Sequence, residues 1–175
     1  MAHRILVLTP AEAQARRTAL AELLVDAVLA GASVNFVWPM DQAKAEAWWD
    51  GALASHARGE RLILTAEADG SVDGTVQLVP AGQPNQAHRA DIAKMLVHTR
   101  ARRQGLGAAL LRAAEAEALR LGRTLLTLDT ETASAGERLY AREGWIKFGE
   151  VPAYAASTDG SRLDAASFFY KRLGR

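Results

Sequence analysis

Hydrophobic residues follow two spacings along the chain, and each spacing predicts one kind of element. Short apolar runs that end at turn-forming residues are typical of strands, and they cover residues 4–9, 61–67, 72–79, 89–98, 124–129, 145–154 and 167–173. Leucine and alanine at helical spacing predict helices over residues 11–30, 41–58, 105–121 and 134–142. The turn signal Asp69-Gly70 joins the second and third strands as a hairpin.

The order of these elements indicates the fold class and the domain organisation. Helices and strands are mixed along the whole chain, which predicts an α/β or α+β fold with a mixed sheet of about seven strands and about four helices. The 175 residues, 49% of them hydrophobic, suffice for one buried core, and neither a repeat nor a low-complexity linker divides them. We therefore expect one domain over residues 1–175.

Charge and composition exclude several classes of function. The 21 basic and 20 acidic residues leave a net charge of +1, so nothing favours the wrapping of nucleic acid or of an anionic membrane. No apolar run reaches the roughly 18 residues of a membrane-spanning helix and no secretion signal is evident, which predicts a cytoplasmic protein. The chain has no cysteine, which excludes disulfides, thiolate zinc sites, iron–sulfur clusters and a cysteine nucleophile. We expect no metal cofactor.

The sharpest local motif lies between a strand and an amphipathic helix. It reads Arg102-Arg103-Gln104-Gly105-Leu106-Gly107-Ala108. Glycines let the backbone approach a ligand closely, and free N–H groups at a helix start bind phosphate oxygens, so the motif predicts a phosphate-bearing ligand. An ordinary helix start with a solvated arginine pair is the alternative. A Walker loop is excluded because this motif contains no lysine. A dinucleotide fingerprint is excluded because Leu110 stands where its third glycine belongs.

A second motif lies about forty residues further on, and the two motifs together are more specific than the first alone. Residues 139–145 read Leu-Tyr-x-x-x-Gly-Trp and place Tyr140 on a short helix that leads into a strand. Together with Arg-x-x-Gly-x-Gly at residues 102–107, and with a strand between them, this sequence resembles the GNAT superfamily of acyl-CoA-dependent N-acetyltransferases. The element order extends the resemblance over essentially the whole chain.

The resemblance implies a mostly antiparallel sheet with a splayed parallel central pair, residues 89–98 and 124–130, that holds acetyl-CoA as co-substrate. It implies that Tyr140 donates a proton to the CoA sulfur; a core aromatic is the alternative role of this residue. The implied CoA-binding residues are Leu96, Val97, Arg102, Arg103, Gln104, Gly105, Leu106, Gly107, Ala108 and Ser134. Ser134 serves equally well as the cap of a helix, in a capping box with Glu137. Ala133 stands where many family members carry Asn.

A general base is harder to assign from the sequence. Asp129 interrupts an apolar strand at its carboxyl end, and we expect a partly buried carboxylate there to take the proton of the amine. Binding of a substrate ammonium or capping of the next turn is the alternative role of Asp129. Glu131 is the second candidate base, and His98 is the third.

Three further stretches resemble tabtoxin resistance protein-like acetyltransferases. They are Gly31-Ala32-Ser33-Val34-x-Phe36, Leu128-Asp129-Thr130-Glu131 and Gly149-Glu150-x-Pro152-x-Tyr154. This resemblance implies Asp129 as base, Tyr140 as acid and a small β-lactam amino-acid toxin as acceptor. We expect Asn35, Phe36, Trp38, Glu131 and Tyr154 at the acceptor site, and a surface or core aromatic is the simpler role of Trp38.

The sequence thus predicts an N-acetyltransferase that uses acetyl-CoA to acetylate a small polar amine. Because the chain has no cysteine, an acetyl-cysteine intermediate is excluded, and direct attack in a ternary complex is the simplest mechanism. A catalytically idle CoA-binding sensor and a protein or peptide N-acetyltransferase are the alternatives. A homodimer, with or without exchange of the last strand, stays open.

Overall fold

The seven predicted strands are present in the structure, a computed structural model that describes residues 3–174, and one of the four predicted helices is divided into two. The strands are β1 (Arg4–Val7), β2 (Leu62–Ala68), β3 (Ser71–Pro80), β4 (Arg89–Val97), β5 (Leu125–Glu131), β6 (Ile146–Ala156) and β7 (Leu163–Arg172). The α-helices are α1 (Pro10–Ala15), α2 (Arg17–Leu29), α3 (Gln42–Ala57), α4 (Leu106–Arg120) and α5 (Ala135–Arg142). Two short 3₁₀ turns, Pro84–Gln86 and Thr99–Ala101, flank β4.

The prediction of one helix over residues 11–30 was wrong, because the helix is interrupted at Arg16. Thr9 and Glu12 form a capping box that starts α1. The Arg16 guanidinium then donates to the Glu67 carboxylate of β2 at 3.0 Å and back to the Glu12 carbonyl oxygen at 3.0 Å. This contact with a distant strand leaves no trace in local periodicity, so five α-helices replace the expected four.

The sheet confirms the expected fold class. Its seven strands lie in the order β1-β2-β3-β4-β5-β7-β6, and every neighbouring pair is antiparallel except β4 and β5. That parallel pair is in register only from Arg89 opposite Leu125 to Asp91 opposite Thr127. Beyond this point β4 continues along β3 and β5 continues along β7, so the two central strands diverge and open a wedge in the sheet.

Helices cover both faces of the sheet. One hydrophobic core packs α4 and α5 against β2, β3, β4, β5 and β7, and the other packs α1, α2 and α3 on the opposite face. Strand β2 contributes to both cores because Ile63 and Leu64 point to opposite faces, as successive strand residues must. No helix between residues 3 and 174 has the length and apolar character needed to cross a membrane.

Gly74 on β3 allows α4 to approach the sheet. A Cβ at this position would lie 2.9 Å from Leu110 Cδ1 and 3.1 Å from the Leu96 carbonyl oxygen. We expect Gly74→Ala to lower the free energy of unfolding by about 1–3 kcal/mol, because the overpacked helix and strand must move apart. Urea unfolding measures this change.

Gly51 in α3 is the matched control, since a Cβ there would meet nothing within 4 Å. Gly51→Ala is expected to raise the free energy of unfolding by about 0.5–1 kcal/mol, because alanine loses less backbone entropy in a helix. Equal effects of the two substitutions would contradict the close approach of α4.

Candidate active site

Two connected cavities lie where β4 and β5 diverge. The larger one, which we call the cleft, has a volume of about 560 Å³ and runs from the N-terminus of α4 between β4 and α5. The smaller one, which we call the inner pocket, has a volume of about 130 Å³ and lies between β4, β5, β6 and β7. Both cavities are lined by Ser33, Val34, Met95, Thr130, Glu131 and Tyr140. These six residues therefore mark the junction between the cleft and the inner pocket.

The N-terminus of α4 forms the outer end of the cleft. Gly105 precedes the helix with φ +80, a left-handed conformation that favours glycine. No side chain caps the helix and no acidic residue lies in its first turn. The first N–H groups of a 15-residue helix therefore point toward the cleft without a side-chain acceptor, the arrangement that binds phosphate groups.

The predicted phosphate loop lines the cleft with one exception. Arg102, Arg103, Gly105, Leu106, Gly107 and Ala108 all line it. The Gln104 side chain turns away and donates to the Arg100 carbonyl oxygen at 3.4 Å. Gly107 has a packing role as well, since a Cβ there would lie 3.0 Å from Leu139 Cδ2 of α5. The two glycines thus serve different purposes, one in backbone conformation and one in helix packing.

The inner wall of the cleft is the edge of β4 that faces β5. Leu96 and Val97 line this wall in the part of β4 beyond Asp91, where β5 no longer pairs with β4. Arg102 Nε donates to the Val97 carbonyl oxygen at 3.2 Å, which ties the phosphate loop to the end of the strand. A strand edge without a partner offers backbone donors and acceptors to an extended ligand.

Tyr140 lies at the junction of the two cavities. Its side chain is 6% exposed and packs against Trp145 and Phe169, with ring centroids 5.9 and 6.0 Å away. Burial raises the pKa of the Tyr140 phenol, and the negative charge of Asp129 raises it further. The phenol is therefore protonated throughout the neutral range and is able to act as a proton donor.

The N-terminus of α5 shows how Ser134 is used. Its Oγ accepts from the Glu137 backbone N–H at 3.1 Å, which confirms the capping role. The capping box is incomplete, because the Glu137 carboxylate accepts from the N–H of Ala133 rather than from that of Ser134. Ala133 has φ +63, and its N–H takes the place of the Ser134 N–H that a complete capping box would use. Ser134 also lines the cleft.

Three carboxylates line the inner pocket: Asp129, Glu131 and Asp164. Asp129 is exposed, which corrects the expectation of a partly buried carboxylate; β4 has already diverged from β5 at this height and does not cover it. Burial raises the pKa of Glu131, and the charge of Asp164 adds to the effect. Asp164 Oδ1 pairs with Arg162 at 2.7 Å, while its buried Oδ2 has no hydrogen-bond partner in residues 3–174.

The third candidate base lies elsewhere. His98 lines neither cavity; its Nδ1 is 3.4 Å from Asp26 Oδ1 and accepts from the Arg100 backbone N–H. His98 therefore caps the 3₁₀ turn after β4 and has no access to the junction.

The residues expected at the acceptor site divide into two groups. Asn35 and Tyr154 line the inner pocket together with Glu131. Phe36 and Trp38 line neither cavity. Phe36 packs edge to face on Trp48, at a centroid distance of 5.5 Å, and Trp38 is exposed. The contribution of Phe36 to the pocket is therefore indirect, through the side chains that it supports.

Lys94 and Asp164 line the inner pocket, and the sequence reasoning missed both. The available signal for Lys94 was a single lysine in the apolar run Ala93-Lys94-Met95-Leu96-Val97. Asp164 was missed because β7 begins at Leu163 and not at residue 167 as predicted. The early part of β7 pairs with the end of β6, a contact between strands that the local pattern does not show.

A helix start without a side-chain cap, a split parallel pair and a buried tyrosine between two cavities match the arrangement that the two motifs imply for an acyl-CoA-dependent acetyltransferase. The sequence matches the acetyltransferase (GNAT) family over residues 14–145. The chain therefore belongs to the GNAT acetyltransferase family, as its two motifs predicted.

One relative in sequence and two solved structures are similar to this chain. The chain is 36% identical over 106 residues to an uncharacterized N-acetyltransferase of the hisH-hisA intergenic region of Azospirillum brasilense, a match that spans 59% of this chain and 61% of that protein. An N-acetyltransferase from Staphylococcus aureus Mu50 has a TM-score of 0.80 at 16% identity, over 99% of this chain and 100% of the other. A phosphinothricin acetyltransferase from Sinorhizobium meliloti, in complex with acetyl-CoA, has a TM-score of 0.79 at 18% identity, over 99% of this chain and 90% of the other. The two structures share the fold with this chain.

Proposed function

We propose that this protein is an acetyl-CoA-dependent N-acetyltransferase that acetylates the amine of a small polar acceptor. One observation carries the proposal: the cleft, which begins at the uncapped N-terminus of α4, meets the inner pocket at the protonated phenol of Tyr140. A donor that extends along the cleft and an acceptor in the inner pocket would present their reacting atoms to the same side chain.

The cleft suits the parts of acetyl-CoA in order along its length. The pyrophosphate fits on the backbone N–H groups of residues 103–108, with the Arg102 and Arg103 guanidinium groups beside it. The pantetheine arm fits along the β4 edge at Leu96 and Val97, where backbone groups are able to hold it and to polarise the acetyl carbonyl. Ser134 lines the opposite wall.

Tyr140 at the junction and Asp129 in the inner pocket are able to move the protons that the reaction requires. Acetyl-CoA supplies a thioester whose carbonyl carbon accepts the amine nitrogen as the carbon–sulfur bond breaks. Tyr140 donates its hydroxyl proton to the departing sulfur, and Asp129 takes the proton that the amine nitrogen loses. Glu131 is the second candidate base, supported by its position in both cavities and by its raised pKa.

The inner pocket favours a small acceptor over a peptide. Its volume is about 130 Å³, and polar side chains from four strands and the loop after α2 surround it. The sequence resemblance to tabtoxin resistance protein-like acetyltransferases supports a β-lactam amino acid as one candidate. The phosphinothricin acetyltransferase of Sinorhizobium meliloti shares the fold and supports amino-acid-like acceptors more generally. Tyr140 at the junction and Asp129 in the inner pocket argue against an idle CoA-binding sensor.

Release of free thiol from acetyl-CoA tests this proposal. The panel of acceptors contains amino acids, dipeptides, aminoglycosides, polyamines and a β-lactam amino acid. We expect amine-dependent thiol release with a small amine and slow release with dipeptides. Binding of acetyl-CoA without turnover on any amine would contradict the enzymatic function and support the sensor, while preference for the dipeptides would support the peptide acetyltransferase.

A further inference from the structure

Lys94 reaches the inner pocket from a distortion in β4. The register of β3 and β4 advances from Thr75 opposite Leu96 to Gln77 opposite Ala93, so two residues of β4 face one residue of β3. Lys94 lies in this bulge with φ +48, a left-handed conformation that is strained for a residue with a Cβ. The bulge directs the Lys94 side chain to the cavity side, where it lines the inner pocket.

The Lys94 ammonium has unused binding capacity. Nζ donates one hydrogen bond, to the Val34 carbonyl oxygen at 3.0 Å, and lies 5.3 and 5.2 Å from the ring centroids of Phe36 and Trp48. Within residues 3–174 it belongs to no ion pair, whereas Lys147 and Lys171 each pair with glutamate. An ammonium has three donors, so two remain for a ligand.

An ammonium that is partly withdrawn from water and has no ion-pair partner is costly, and an anion beside it would relieve that cost. Burial lowers the pKa of Lys94, and the negative charge of Asp129 opposes this effect from across the pocket. The two aromatic faces compensate the charge only in part, since a cation over a ring gains less than a charged hydrogen bond. Lys94 is therefore held in position with its charge incompletely satisfied.

We propose that Lys94 is a specificity-determining residue that binds an anionic group of the acceptor, so that the acceptor class is small amino acids that carry a carboxylate near the reacting amine. This inference rests on the proposed function. The inner pocket has opposite charges on neighbouring strands, Lys94 on β4 and Asp129 with Glu131 on β5. The third carboxylate of the pocket, Asp164 on β7, is paired with Arg162. An amine and a carboxylate in one small molecule match this arrangement.

A purely mechanical role of Lys94 is distinguishable from this one. Lys94 links β4 to the loop between α2 and α3 through its hydrogen bond to the Val34 carbonyl oxygen. Lys44 of α3 contacts the same loop through a hydrogen bond to the Pro39 carbonyl oxygen at 3.1 Å. Lys44 lines neither cavity. Lys44→Gln is thus a matched control that removes a lysine contact from this connection and leaves the pocket unchanged.

The experiment compares each proteinogenic L-amino acid with its own carboxamide as acceptor. Because a charged hydrogen bond contributes about 1.5–3 kcal/mol, we expect the wild type to prefer the acid in kcat/KM by about tenfold to a hundredfold. In Lys94→Gln this ratio falls to about one, in Lys94→Arg it is partly restored, and in Lys44→Gln it stays at the wild-type value. A wild type without preference, or an equal loss for acid and amide in Lys94→Gln, would overturn the role of Lys94.

A binding measurement keeps this inference separate from the proposed function. The same pairs are titrated calorimetrically into wild type and Lys94→Gln saturated with CoA. If the acids bind more tightly than the amides to the wild type alone, Lys94 binds the carboxylate of the acceptor. This conclusion holds even when no thiol is released, since the lack of thiol release would contradict only the enzymatic function. Equal affinities for acids and amides in both proteins would overturn the inference.

Discussion

Tyr140→Phe is expected to lower kcat by about a hundredfold or more, because a positioned general acid contributes about 10²- to 10⁴-fold to such a reaction. The phenyl ring retains the packing against Trp145 and Phe169. The Tyr140 hydroxyl forms no hydrogen bond with residues 3–174, so its removal leaves no partner unsatisfied. Steady-state kinetics and calorimetric titration of acetyl-CoA measure turnover and affinity separately.

The affinity for acetyl-CoA should change by less than about twofold in this variant, which corresponds to less than about 0.5 kcal/mol. Tyr170→Phe is the matched control, since Tyr170 lies on β7 and lines neither cavity. It should retain wild-type kcat. An unchanged rate in Tyr140→Phe, or an equal loss in both variants, would remove Tyr140 from the mechanism.

The base is tested by Asp129→Asn, which we expect to lower kcat/KM by about a hundredfold. A carboxylate base works only in its ionised form, so activity rises with pH where the base limits the reaction and then levels off. Replacement by Asn should remove this rise. The pH dependence of kcat/KM between the acidic and the neutral range measures the effect.

Glu131→Gln is the comparison for this variant, because Glu131 also lines the inner pocket. We expect a smaller loss than in Asp129→Asn, with the rise in activity retained. If Glu131 were the base, its raised pKa would place the rise at higher pH than an ordinary carboxyl group, and Glu131→Gln would abolish it. That result would transfer the role from Asp129 to Glu131.

The sequence predicted the parts of the site that depend on local backbone chemistry. The glycines of the motif predicted a helix start near Gly105, and α4 begins at Leu106. Tyr140 was placed correctly on a short helix because Ser134 and Gly144 mark its ends. Strands β2 and β5 were recognised because largely apolar runs with clear boundaries mark them in the sequence.

The features that the sequence did not predict depend on contacts between distant segments. The break at Arg16 depends on Glu67, and the early start of β7 depends on its pairing with β6. The exposure of Asp129 follows from the angle between two strands, which no local pattern records. Lys94 reaches the pocket only because of a bulge whose register is set by β3. The tabtoxin-type acceptor and the homodimer stay predictions.

The central claim is that donor and acceptor meet at Tyr140 while both are bound, and initial velocities test it most directly. Both substrates are varied together, with acetyl-CoA as donor and the best amine of the panel as acceptor. Because the chain has no cysteine to carry the acetyl group, we expect double-reciprocal lines that intersect, as a ternary complex requires. Parallel lines, which indicate an acetylated enzyme and release of CoA before the amine binds, would contradict the account.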